Sequence, residues 1–76
     1  MKITHASVVV RIGEPYNRNI IQPFRVKEGS SYIKQGYLLG RVIVAEFVEH
    51  NFNKPTAKDY RYIENISEIK VKRYSV

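Results

Sequence analysis

The chain has 76 residues, a formal net charge of +6 and no cysteine. A chain this short is expected to be one domain over 1–76 that buries only about 60–65% of the surface its unfolded form exposes, with no disulfide to supplement the core. Its composition, 43% hydrophobic and 26% charged, excludes disorder over the whole length; no run approaches the ~18 apolar residues of a membrane span, and Met1-Lys2-Ile3-Thr4-His5-Ala6 is not a signal peptide, so a cytoplasmic location is expected.

Alternation predicts a strand over residues 2–12. Thr4, Ala6, Val8, Val10 and Ile12 make one mostly apolar face, while Ile3, His5, Ser7, Val9 and Arg11 make a mixed one. Gly13-Glu14-Pro15-Tyr16-Asn17 breaks the pattern, because proline fixes φ while Gly and Asn tolerate φ > 0. Alternation resumes over 20–28, with Ile20, Phe24 and Val26 on one side and Arg25 and Lys27 on the other. Pro23 cannot donate to a ladder, which places this strand at an edge or puts a bulge there.

Glu28-Gly29-Ser30-Ser31 is a tight turn, and a short polar strand from Tyr32 to Gln35 is expected before Gly36. From Tyr37 to Phe52 the chain is at its most apolar and reads two ways. As a strand it carries Val42, Val44 and Val48 on one face and Ile43, Ala45 and Phe47 on the other, which suits a central position. As a helix it would gather Ile43, Val44, Phe47 and Val48 on one side. The β-branched run Val42-Ile43-Val44 favours the strand. After a loop over 51–57, Thr56-Ala57-Lys58-Asp59 has the form of a capping box that would open a helix near 57–67. Tyr60-Arg61-Tyr62-Ile63 and the residues from Ile66 onward alternate instead like two strands meeting at Glu64-Asn65. A strand is predicted over 68–75, and 57–67 stays open between the two.

The expected fold class is therefore mainly β: a small five-stranded barrel or strongly bent sheet of SH3-like, Sm-like or OB-like type, with the helix near 57–67 as the variant. The run Gly36-Tyr37-Leu38-Leu39-Gly40-Arg41-Val42-Ile43-Val44, followed by a loop and then Ile63, Ile66 and Ile69, resembles the glycine-marked central strands and late isoleucines of Sm-like barrels. The resemblance implies fold class and carries over no functional residue.

Charge is the main functional clue. Residues 1–41 hold seven basic and two acidic side chains, 42–53 hold only Glu46 and Glu49, and 54–76 hold six basic and three acidic. Alternation sends Arg25 and Lys27 to solvent from one strand and Lys70, Lys72 and Tyr74 to one side of another, while Lys34 and Arg41 lie near Tyr32 and Tyr37. Cations on one barrel face would neutralise phosphates, and exposed tyrosines would stack on unpaired bases for about 1–3 kcal/mol each. Tyrosines packed in the core beneath a solvated basic surface are the plain alternative.

Catalytic and metal chemistry find little purchase. Glu46 and His50 on a strand would stand about 13 Å apart; on a helix they would be one turn apart, still only two ligands where a structural zinc takes four. Asp59 is the sole aspartate, and the glycines match neither a P-loop nor a dinucleotide fingerprint. No enzyme activity, metal or cofactor is expected. Asn65-Ile66-Ser67 matches a glycosylation acceptor only as a chance-level pattern.

Two function classes remain. The first is a basic module that binds nucleic acid, single-stranded DNA or RNA, by its backbone with low sequence specificity. The second is a protein-interaction or regulatory module that docks on an acidic partner or pairs through a strand edge. A homodimer is expected on either reading, because the core is small and Val42 to Val48 is apolar on both faces of the expected strand.

Overall fold

The computed structural model describes residues 4–73. Strand β1 (His5–Ile12) is followed by β2 (Arg18–Arg25), helix α1 (Tyr32–Asn51), helix α2 (Ala57–Asn65) and strand β3 (Ser67–Arg73). The strands form an open antiparallel sheet in the order β2-β1-β3, so β1 is central and the other two are edges.

Period-two alternation in β1 sets the layering. Ala6, Val8, Val10 and Ile12 have no exposed surface, and the register continues their face outward: Val10 lies between Ile20 and Ile69, and Val8 between Gln22 and Val71. Both helices pack on this side, bringing Val44, Phe47 and Val48 from α1 and Ile63 from α2 into the same core. At the β1–β2 turn, Gly13 O accepts the N–H groups of Tyr16 and Asn17 at 3.0 and 3.2 Å. Asn17 takes φ 48° there, a left-handed conformation that Asn tolerates because its side chain can bond locally. Pro23 sits in β2 opposite Ser7, at a sheet edge as its missing donor requires.

The five-stranded barrel is overturned. The sheet is open and three-stranded, and residues 32–51, expected to supply strands, form a 20-residue helix. The resemblance of residues 36–44 to barrel strands falls with it. Ser31 caps α1, its Oγ accepting the Lys34 N–H at 3.4 Å. Gly36, Gly40, Val44 and Val48 then recur every fourth residue, and all are buried. The β-branched run costs α1 at most about 0.7 kcal/mol per residue in propensity. Burying Val44, Phe47 and Val48 returns about 1.5–3 kcal/mol for each, so packing decides.

Gly36 and Gly40 are what let the helix lie so close to the sheet. A Cβ on Gly36 would stand 2.6 Å from Val71 Cγ1, and one on Gly40 would stand 2.6 Å from Ile69 Cγ2. For 57–67 the helical reading is the one adopted. Thr56 and Asp59 make the reciprocal capping box that opens α2, with the Thr56 N–H on Asp59 Oδ2 at 2.8 Å. The Gly13 N–H donates to Ile66 O at 2.8 Å and ties the β1–β2 turn to the start of β3.

Candidate nucleic-acid interface

With α1 and α2 on one side of the sheet, the odd-numbered residues of β1 face the other, and the register assigns their neighbours. Ser7 lies between Pro23 and Lys72, Val9 between Ile21 and Lys70, and Arg11 between Asn19 and Glu68, while His5 pairs with Arg25. Ile21, midway along the edge strand β2, is 64% exposed. Arg11, Arg25, Lys70 and Lys72 are exposed as well, and Val9 is half-buried. The face thus carries an apolar strip running from Val9 to Ile21 and Pro23 at the β2 edge, with Arg11 and Arg25 toward its two ends, Lys70 and Lys72 along β3, Ser7 buried between the strands and, among the described residues, one carboxylate, Glu68. Along β3, Lys70 and Lys72 are about 6.6–6.8 Å apart, and neighbouring strands are about 4.8 Å apart, so the cations sit in closely spaced rows.

The end of β2 is held to α1 by one side chain. Gln35 Nε2 donates to Arg25 O at 2.8 Å, and its Oε1 accepts the Lys27 N–H at 3.1 Å. Lys27 therefore leaves the sheet beside the start of α1, where it lines a shallow hollow with Ser30, Ser31 and Lys34.

Of the nine residues expected to form one patch, the eight that are described divide between two surfaces. Arg25, Lys70 and Lys72 share the open sheet face. Tyr32, Lys34, Tyr37 and Arg41 belong to α1, which covers the opposite face. Tyr32 is half-buried at the first turn. Tyr37 and Arg41 line a groove of about 330 Å³ with Glu64, Asn65 and Ser67, so a carboxylate stands among them. Tyr74 lies outside the described residues. The interleaving of tyrosines with cations is a feature of the sequence and not of the open face. Tyr16, for its part, packs edge-on against Phe47 with ring centroids 5.1 Å apart. Sequence reasoning missed Arg11, although its place on the mixed face of β1 was legible; the pairing of β1 with β3 is what sets it opposite Glu68 and diagonal to Lys70.

Glu46 and His50 fall one turn apart on α1, where His50 Nδ1 lies 2.8 Å from Glu46 O. Among the described residues, no three His, Asp or Glu side chains are grouped to hold a metal ion. On the far side of α1, the Tyr60 hydroxyl donates to Glu49 Oε2 at 3.4 Å. Desolvation, then the negative charge of Glu49 and this hydrogen bond, raise the phenol above its usual value. Among the described residues no helix is long and apolar enough to cross a membrane.

Comparison with protein-family models, with curated proteins and with solved structures gave no match.

Proposed function

We propose that this chain is a non-enzymatic module that binds single-stranded nucleic acid across the open face of its sheet, gripping the sugar–phosphate backbone with little preference for sequence. The observation that carries the reading is the sheet face opposite the two helices, where Arg11, Arg25, Lys70 and Lys72 flank an apolar strip and Glu68 is the one carboxylate among the described residues. Phosphates take the cations, and Val9, Ile21 and Pro23 offer a flat surface to the sugars and bases of an unpaired strand. A cytoplasmic location belongs to the same proposal, since such a ligand is found there.

Neutralising four phosphates on a single strand gives a slope of about −2.8 for log K against log salt. Titration of a labelled oligonucleotide over a range of salt, alongside a duplex of equal length, is the test. Binding that weakens on that slope and favours the single strand supports the reading. An affinity independent of salt, or no binding at low salt, refutes it. The protein-interaction reading draws on the same four cations, which also suit an acidic protein surface, with Ile21 exposed on the β2 edge for such a partner to cover. Capture of an acidic protein by a chain that fails to bind either oligonucleotide would favour that second reading.

A further inference from the structure

The side of α1 turned away from the sheet carries an exposed apolar strip, Leu38 and Val42, bordered by Lys34, Arg41, Glu46 and Glu49, and Tyr60 of α2 reaches its C-terminal end through its hydroxyl on Glu49. Of the six large hydrophobic side chains exposed among the described residues, four are on α1: Leu38 and Val42 belong to this outer side, whereas Ile33 shares the side of Gly36 and Gly40 and Tyr37 lines the groove beside Val44 and Ile69. Leu38 and Val42, 64% and 51% exposed, each follow a sheet-facing glycine by two positions. At 3.6 residues per turn, they therefore point about 200° away from the sheet.

The stripe is also polarised. Lys34, Leu38, Val42, Ala45 and Glu49 follow one another at intervals of four, four, three and four residues along α1. That spacing holds them on one side of the helix, with a cation at its N-terminal end and a carboxylate at its C-terminal end. Glu46 and Glu49 offset Lys34 and Arg41 on this side, so it carries no net charge to draw nucleic acid or an acidic protein. A second α1 running the other way meets the stripe with opposite signs. About a two-fold axis between Arg41 and Val42, Lys34 of one copy faces Glu49 of the other, and Leu38 faces Ala45. A parallel pairing would set Lys34 on Lys34 and Glu49 on Glu49. The helix dipoles favour the antiparallel arrangement for the same reason.

We propose that two copies of the chain pair antiparallel through the outer face of α1, and that the dimer so formed bridges two nucleic-acid strands. The bridging clause rests on the sheet-face reading above. Because α1 lies between the dimer axis and its own sheet, the two basic faces end up on opposite outer surfaces of the pair, unable to close on one strand together. The interface consists of one helix face per copy, at the small end for specific association, so dissociation at roughly micromolar concentration is expected.

Sedimentation of the full chain over about a hundredfold range of concentration tests the pairing, since by mass action a dimer dissociates on dilution. The wild type is expected to pass from monomer to dimer. Leu38→Lys, which places a charge at an already exposed position, is expected to stay monomeric with an unchanged circular dichroism spectrum. Lys34→Glu alone is expected to weaken the dimer at least tenfold. Lys34→Glu with Glu49→Lys in the same chain is expected to restore it, because the two-fold brings the exchanged charges back together. A wild type that remains monomeric at every concentration overturns the proposal, as does a charge-exchanged chain no better paired than Lys34→Glu.

Bridging is read separately, as energy transfer between two differently labelled oligonucleotides. The wild type is expected to give it, whereas Leu38→Lys is expected to bind each oligonucleotide and give none. Energy transfer that survives in a monomeric Leu38→Lys chain overturns the bridging clause. A dimer that binds no oligonucleotide refutes the sheet-face reading and the bridging clause with it, while the α1 pairing stands.

Discussion

Replacing Gly36 with alanine should destabilise this protein, against the usual effect of the change. In an open helix interior, Gly→Ala gains about 1 kcal/mol, because alanine gives up less backbone freedom on folding. Here the new Cβ would stand 2.6 and 2.8 Å from the two Cγ atoms of Val71 and 3.0 Å from Phe24 Cζ. Val71 is β-branched, with χ1 held by its strand, so it cannot swing both methyls clear. Either α1 lifts from the sheet or Val71 leaves its rotamer, and overpacking of this kind costs about 1–3 kcal/mol. After the propensity gain, the net loss is up to about 2 kcal/mol. With a urea dependence near 1 kcal/mol/M, the low end for small proteins, the unfolding midpoint falls by up to about 2 M at constant slope. Val71→Ala should relieve the clash, so Gly36→Ala should cost less in a Val71→Ala background than in the wild type. A midpoint that rises in Gly36→Ala would refute the close packing of α1 on β3 and the whole placement of the helix.

Three further outcomes follow from the same geometry. Lys70→Glu with Lys72→Glu should weaken oligonucleotide binding at every sequence tested and reduce the salt slope by about 1.4, with the far-ultraviolet spectrum unchanged because both side chains are exposed; a loss confined to one sequence would count against backbone recognition. Thr56→Ala removes one half of the capping box of α2 and should cost about 1 kcal/mol in urea unfolding, whereas no change would mean the cap is dispensable. The Tyr60 phenol is raised above its usual value of 10.0 in the folded state, so its contribution to stability is whole below that pH and is lost as pH rises through the folded value. Tyr60→Phe should therefore flatten the alkaline fall in stability, and Glu49→Gln should bring the phenolate absorbance transition back toward lower pH; a transition unmoved by Glu49→Gln would show that the pair does not interact.

The legible parts of this fold are those where one local pattern decides. Strict alternation marked β1 and its two faces, and the missing donor of Pro23 left β2 either an edge strand or a bulged one, of which the structure has the edge. Thr56 and Asp59 carried a cap that alternation across 60–63 could only obscure. The long helix was misread because Val42-Ile43-Val44 has strand propensity and because Gly36 and Gly40 look like strand punctuation. Their true meaning lies in the four-residue spacing through Val44 and Val48, which has a physical sense only once a sheet is there to meet it. The candidate site divided for a related reason. Alternation correctly put Lys70 and Lys72 together, and Arg25 apart from Phe24, but no local pattern states which side of a sheet a later helix will cover. Lys34 and Arg41 were therefore grouped with cations that the helix separates from them. Arg11 joined the face only through the strand order β2-β1-β3, a long-range property.

The central claim is that nucleic acid meets the sheet and not the helix, and methyl resonances on the two surfaces read it out directly. Val9 and Ile21 report the open face, while Leu38 and Val42 report the outer side of α1. In an NMR titration of isotope-labelled protein with a single-stranded oligonucleotide at low salt, kept at a concentration where the chain is monomeric, the Val9 and Ile21 methyls are expected to shift progressively while those of Leu38 and Val42 hold still. Shifts at Leu38 and Val42 with Val9 and Ile21 unmoved would contradict it.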